Sequence, residues 1–299
     1  MPTALHNTPA IPLSPVLVGP ILRRTTPDEL TLWCLVTEPL RFHLRLTTEN
    51  ETLLNHALTD DECWSLQVGE RAWICLINLR IEVPLPTARR IDYDLLICRE
   101  GDTGGSSIRD WGRELLYPGE RLPGFVIQPQ LRSMLHGSCR KPHYPSKDGM
   151  ARADVWLEEH LTRPDDWPAV LMLSGDQLYA DDVAGPFLRA AHLLSDRLGL
   201  WEETLEGGGI TSGAELRSSP YCYYRREQLL PRDQLSQTMK ERVFTGVRKP
   251  IFTSDSAHNH LITFAEVIAS YCLVWSPRAW EGIEVTAPDL SPAHTVLYQ

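Results

Sequence analysis

The chain has 299 residues, enough for about two domains and a sizeable core. Its formal net charge of −10 argues against general binding to nucleic acid or an anionic membrane, and 42% hydrophobic with 23% charged residues is a folded, globular composition rather than a disordered one. The 7 cysteines are odd in number, scattered and never in a Cys-x-x-Cys pair, so neither a disulfide framework nor a zinc ribbon is expected, and a reducing compartment is favoured.

At the amino end, Pro2, Pro9, Pro12, Pro15 and Pro20 break any apolar helix. Arg23-Arg24 lacks the apolar stretch that a twin-arginine export signal requires after it. No secretory signal is read, and a cytoplasmic location is expected. From about residue 14 to 100 the pattern is short strands and turns: Val16–Pro20, Leu30–Val36, Arg41–Leu46, Ala72–Ile77 and Tyr93–Cys98. Strands of that length at that spacing predict a small β-sandwich. Gly101–Ser107 reads as a turn or linker.

After residue 124 strands and helices alternate, the signature of an α/β layer. Phe125–Ile127 and Leu131–Leu135 look like strand, ending in His136-Gly-Ser-Cys139, and a helix is predicted over roughly Met150–Leu161. Its apolar side carries Met150, Ala153, Trp156, Leu157 and Leu161. Ala169–Leu173 is an apolar run bounded by Pro168 and Gly175, predicted as a strand buried on both faces of a parallel sheet. A helix follows around Phe187–Leu198, and Leu261–Trp275 predicts a buried helix with Asp255 or Ser256 near its start as cap. That last stretch contains Glu266 and is too short to span a bilayer. Inside it, Glu266 is expected to accept from a nearby arginine or a helix N-terminus.

The chemistry gathers at two strand ends. Ligands in α/β sheets bind beyond the carboxyl ends of strands, where Cys139 and Asp176 both fall. One right-handed βαβ unit would set these ends side by side, so a thiolate and a carboxylate would converge. Arg140 and Lys141 would favour the thiolate. Asp181 and Asp182 add negative charge, either as solvated or capping residues or, with Asp176, as an Mg²⁺ site.

Four strings now stand together: Gly137-Ser-Cys139; Gly175-Asp-Gln-Leu-Tyr-Ala-Asp-Asp182; Tyr223-Tyr-Arg-Arg226; and His260-Leu-Ile-Thr-Phe-Ala-Glu-Val267. With them the chain resembles the alkaline phosphatase D (PhoD-like) family of calcineurin-like metallophosphatases, from about residue 14 to 281. The resemblance implies an immunoglobulin-like sandwich over 14–105 and the amino-terminal part of a metallophosphatase domain over 120–299. It implies a hydrolase of phosphate mono- or diesters with a binuclear or larger site for Fe³⁺ and Ca²⁺. Asp176 would be a bridging metal ligand, Cys139 a ligand of the ferric ion, and Tyr224 its tyrosinate ligand, with Tyr223 as the competing assignment.

The family's Asp-Asp-His followed by an acidic residue is absent from this sequence, as are the superfamily's Asn-His-Asp/Glu and Gly-His-x-His. His258 and His260 are no substitute, since imidazoles two residues apart on a helix diverge by about 200°. An incomplete α/β domain, with exposed apolar surface and no phosphatase activity in this chain alone, is therefore expected. The rival reading is a non-catalytic interaction protein: a β-sandwich attached to a phosphatase-like remnant.

Overall fold

The computed structural model describes residues 11–49, 51–102, 104–141, 145, 147–181, 183–206, 209–230 and 257–285. The alternating stretches of the first part form β1 (Val16–Thr26), β2 (Glu29–Val36), β3 (Arg41–Thr47), β4 (Thr52–Ala57), β5 (Cys63–Gly69), β6 (Ala72–Arg80), β7 (Arg90–Cys98) and β8 (Gly124–Val126). They pair antiparallel into two four-stranded sheets, ordered β1-β2-β6-β5 and β4-β3-β7-β8. Period-two burial explains the pairing of faces. Leu30, Leu32 and Cys34 of β2 with Cys75, Ile77 and Leu79 of β6 meet Phe42, Leu44 and Leu46 of β3 with Ile91, Tyr93 and Leu95 of β7 in one apolar core.

Two expectations change here. The Gly101–Ser107 stretch is no free linker: Ser106 bridges to Ile97, and Ser107 caps the short helix α1 (Ile108–Trp111). Buried Asp94 accepts from the Ser107 hydroxyl and from the Ile108 N–H, both at 2.9 Å, which ties that helix to β7. Phe125 and Ile127, expected to open the α/β layer, pack into the core between the two sheets. The β-rich amino-terminal region therefore runs past residue 105.

Beyond it come β9 (Met134–Gly137), α2 (Gly149–Glu159), β10 (Val170–Leu173), α3 (Gly185–Leu198), α4 (Gly213–Ser218) and α5 (Phe264–Trp275). β9 and β10 pair in parallel, Met134 beside Val170 through Gly137 beside Leu173, with α2 as the crossover. Asp148 caps α2 by accepting from the Met150 N–H, and the expected apolar side, Met150, Ala153, Trp156 and Leu157, is its half-buried side. The burial of β10 is otherwise than predicted. Val170, Leu171 and Met172 are 41%, 47% and 47% exposed, because among the described residues the sheet has two strands and α2 contributes no fully buried residue.

α5 is buried as expected, but its cover is not the parallel sheet. Ala265, Ile268, Ala269, Cys272 and Leu273 pack with Ala190, Ala191, Leu194 and Leu198 of α3 onto Leu17, Val18 and Leu35, on the outer face of the first sheet. Alanines on both helices allow that close approach. Its cap is Thr263, whose hydroxyl accepts from the Glu266 N–H at 3.1 Å while Glu266 reaches back to the Thr263 N–H, a capping box. Asp255 and Ser256 lie outside the described residues. No described helix is long and apolar enough to cross a membrane.

Candidate functional site

The two strand ends meet. Past β9 and β10 the ladder continues through two irregular steps: the Cys139 N–H donates to the Gly175 carbonyl at 3.1 Å, and the Arg140 N–H to the Asp176 carbonyl at 3.0 Å. Cys139 and Asp176 take positive φ, 58° and 47°, and each chain turns there. Their side chains emerge together, Cys139 Sγ lying 3.6 Å from Asp176 Oδ2. Both residues are exposed, and Ser138 Oγ lies 3.2 Å from the same sulfur.

Tyr224 also has positive φ, 63°, and its N–H donates to Oδ1 of buried Asn259 at 2.8 Å. Its hydroxyl packs against Gly185 at the start of α3, where an added Cβ would stand 1.9 Å from that oxygen. The phenol that reaches Cys139 belongs to Tyr179, three residues after Asp176. Its hydrogen bond to Cys139 is the first cause, with burial second, that pushes its pKa up to about 12. Tyr179 was visible in the Gly-Asp-Gln-Leu-Tyr string, but only the turn at Asp176 shows that its ring comes back to the sulfur.

The two cations expected to favour the thiolate also contact other groups. Arg140 donates to the Asp148 cap at 3.1 and 2.8 Å and lies 5.3 Å over the Trp275 ring; Lys141 sits 5.6 Å over the Tyr179 ring. Arg140 thus ties the site to the start of α2 and the end of α5. A cavity of about 790 Å³ opens beside Cys139, between the β9–β10 face, α2, the start of α3 and the end of α5.

A second polar cluster is buried where α3, α5 and residues 222–226 meet. Glu266 accepts from Arg226 Nη1 and Nη2 at 2.9 and 2.8 Å and contacts His192 Nε2 at 2.7 Å, while His192 Nδ1 meets the Tyr223 hydroxyl at 2.7 Å. Arg226 further donates to the carbonyls of Cys222 and His260. Burial opposes ionisation of Glu266, yet the bonds from His192 and Arg226 hold its carboxyl well below the usual range. Burial lowers the pKa of His192 and outweighs its carboxylate partner. A neutral ring that donates Nε2–H to Glu266 and accepts the Tyr223 hydroxyl satisfies both short contacts. The expected acceptor role of Glu266 is found, with both an arginine and a helix start. No residue pattern marks His192, a lone histidine among apolar residues of α3.

Thiolate and carboxylate are the donors that ferric iron and an oxygen-loving second cation require. Among the described residues no group of three or more His, Cys, Asp or Glu converges closely enough to hold a metal ion. The donor set fits two ligands of the implied centre, Cys139 and Asp176. Asp181 joins no such group, and Asp182 lies outside the described residues. Compared with models of known protein families the chain matches none, and a comparison with characterised proteins finds no match.

Proposed function

We propose that the Cys139–Asp176 corner belongs to the metal centre of a phosphoesterase acting on phosphate mono- or diesters. Cys139 would hold Fe³⁺, and Asp176 would share it with a second cation such as Ca²⁺. Paired cations bound there would supply an activated water and neutralise phosphoryl charge. Tyr179 would fix the sulfur through its hydrogen bond, and Lys141 and Lys147 would draw the phosphate towards the corner. The observation that carries this reading is backbone strain. Four non-glycine residues among those described have positive φ, and three of them, Cys139, Asp176 and Tyr224, are the ones the family resemblance marks as ligands. Left-handed backbone in such residues costs on the order of 1–3 kcal/mol each and clusters at functional sites.

The order β1-β2-β6-β5 against β4-β3-β7-β8 supports an immunoglobulin-like sandwich. The β9-α2-β10 unit supports a calcineurin-like layer begun here. The described residues offer two ligands where two cations need more, so this chain by itself is expected not to hydrolyse p-nitrophenyl phosphate. Metal content tests the reading: Asp176→Asn should lose bound iron by elemental analysis while its circular dichroism stays unchanged. Full occupancy in that variant would remove Asp176 from the site.

One observation favours the rival reading of an interaction module. Trp64, Leu66 and Leu76 are 56%, 43% and 37% exposed, with Trp64 beside Leu76 on β5 and β6. Wild-type chain that binds no iron in an Fe³⁺ titration would shift the choice to that module.

A further inference from the structure

The cavity beside Cys139 has apolar lining from Leu171 and Leu173 of β10, Phe187 of α3, Leu273 of α5 and Trp280 beyond it. Phe187 and Trp280 pack ring to ring at 5.9 Å. Its polar lining includes His136, Ser138, Cys139, Gln177, Lys141 and Lys147. Of the lining cations Arg140 is ion-paired with Asp148, the one lining carboxylate, while Lys141 and Lys147 add positive charge and the Asp176 carboxylate stands 3.6 Å from Cys139 Sγ. A site of this size with several apolar side chains and a smaller set of polar ones suits a small molecule with one polar end.

We infer that this cavity takes a phosphate ester bearing an alkyl, acyl or aryl group, with the phosphate at the Lys141–Cys139 mouth and the apolar group along Leu171, Leu173 and Trp280. The inference rests on the phosphoesterase reading for the phosphate end and names the substrate class of that same site. A sugar or nucleoside phosphate fits poorly, because its hydroxyls would lie against the leucines and lose their water without gaining partners.

The test is binding of methyl, propyl, butyl and hexyl phosphate to the whole chain by calorimetry, with inorganic phosphate as the reference. Affinity should tighten by about two- to fourfold per added methylene, the free energy of burying one CH₂. Leu171→Asn, at a half-exposed position, should flatten the series. Lys147→Gln should weaken every member by a similar factor and keep the slope. A flat wild-type series would overturn the inference without any variant, as would a slope that survives both Leu171→Asn and Leu173→Asn in chains with unaltered circular dichroism. Iron content separates the two claims. A rising series in a chain that binds no iron would keep the cavity and remove the phosphoesterase, and a flat series with iron bound would do the reverse.

Discussion

Arg226 is fully buried, and among the described residues its guanidinium is matched by one carboxylate, that of Glu266. A buried ion pair contributes little net stability when intact, but removing one partner strands a charge in the interior. Glu266→Ala should therefore cost about 3–5 kcal/mol in chemical denaturation. A loss under about 1 kcal/mol would mean that water reaches Arg226 in the folded chain. His192 adds a pH dependence. Its folded pKa is depressed by burial, so in the window below its ordinary value of about 6.5 the unfolded chain takes up a proton that the folded chain does not. Stability should be at its full value above that pH and fall as pH drops below about 6.5, and His192→Gln should flatten this part of the profile. Equal acid sensitivity in both proteins, by thermal melts, would assign the effect to other groups.

Among the elements, α5 depends on its start. Thr263→Ala removes one half of the capping box and should cost about 1 kcal/mol, read from the shift in the denaturation midpoint at constant slope. No change would mean that Glu266, already fixed by Arg226, suffices alone. The elements most legible in the sequence were those with a clean period: β2, β3, β6 and β7 by alternation, α2 and α3 by their apolar side, β10 by its apolar run. β4 and β5 were missed because both are edge strands with mixed, half-exposed sequences, and such strands need no apolar alternation. The cap of α5 was placed too early because its apolar pattern begins before the helix does. Of the site, the meeting of Cys139 and Asp176 was legible from one βαβ spacing. The approach of Tyr179 depends on φ at Asp176, which no residue pattern encodes.

For the whole molecule, the chain order of domains conceals how they pack. α3 and α5 lie far along the sequence, yet they cover the outer face of the first sheet, and Ser276 and Arg278 donate to the carbonyls of Leu17 and Val16. The β-rich region should therefore not behave as an independent unit. A fragment of residues 11–127 would expose Leu17, Val18, Leu35 and Val68, and should melt below the whole chain and bind an apolar dye. A fragment that melts cooperatively at the same temperature without dye binding would show that the helices add nothing to the sandwich. The exposed apolar residues of β10 belong to the same scale: Val170 and Met172, on the face opposite Leu171, are 41% and 47% exposed among the described residues.

The central claim is that Cys139 and Asp176 jointly hold metal. Its most direct measurement is the visible absorption of the whole chain titrated with Fe³⁺, wild type against Cys139→Ser. The wild type should develop a thiolate-to-iron charge-transfer band that saturates at a fixed iron content, and Cys139→Ser should lose both the band and the bound iron, since a neutral hydroxyl replaces a soft thiolate. An identical titration in the two proteins, or no band in either, would contradict it.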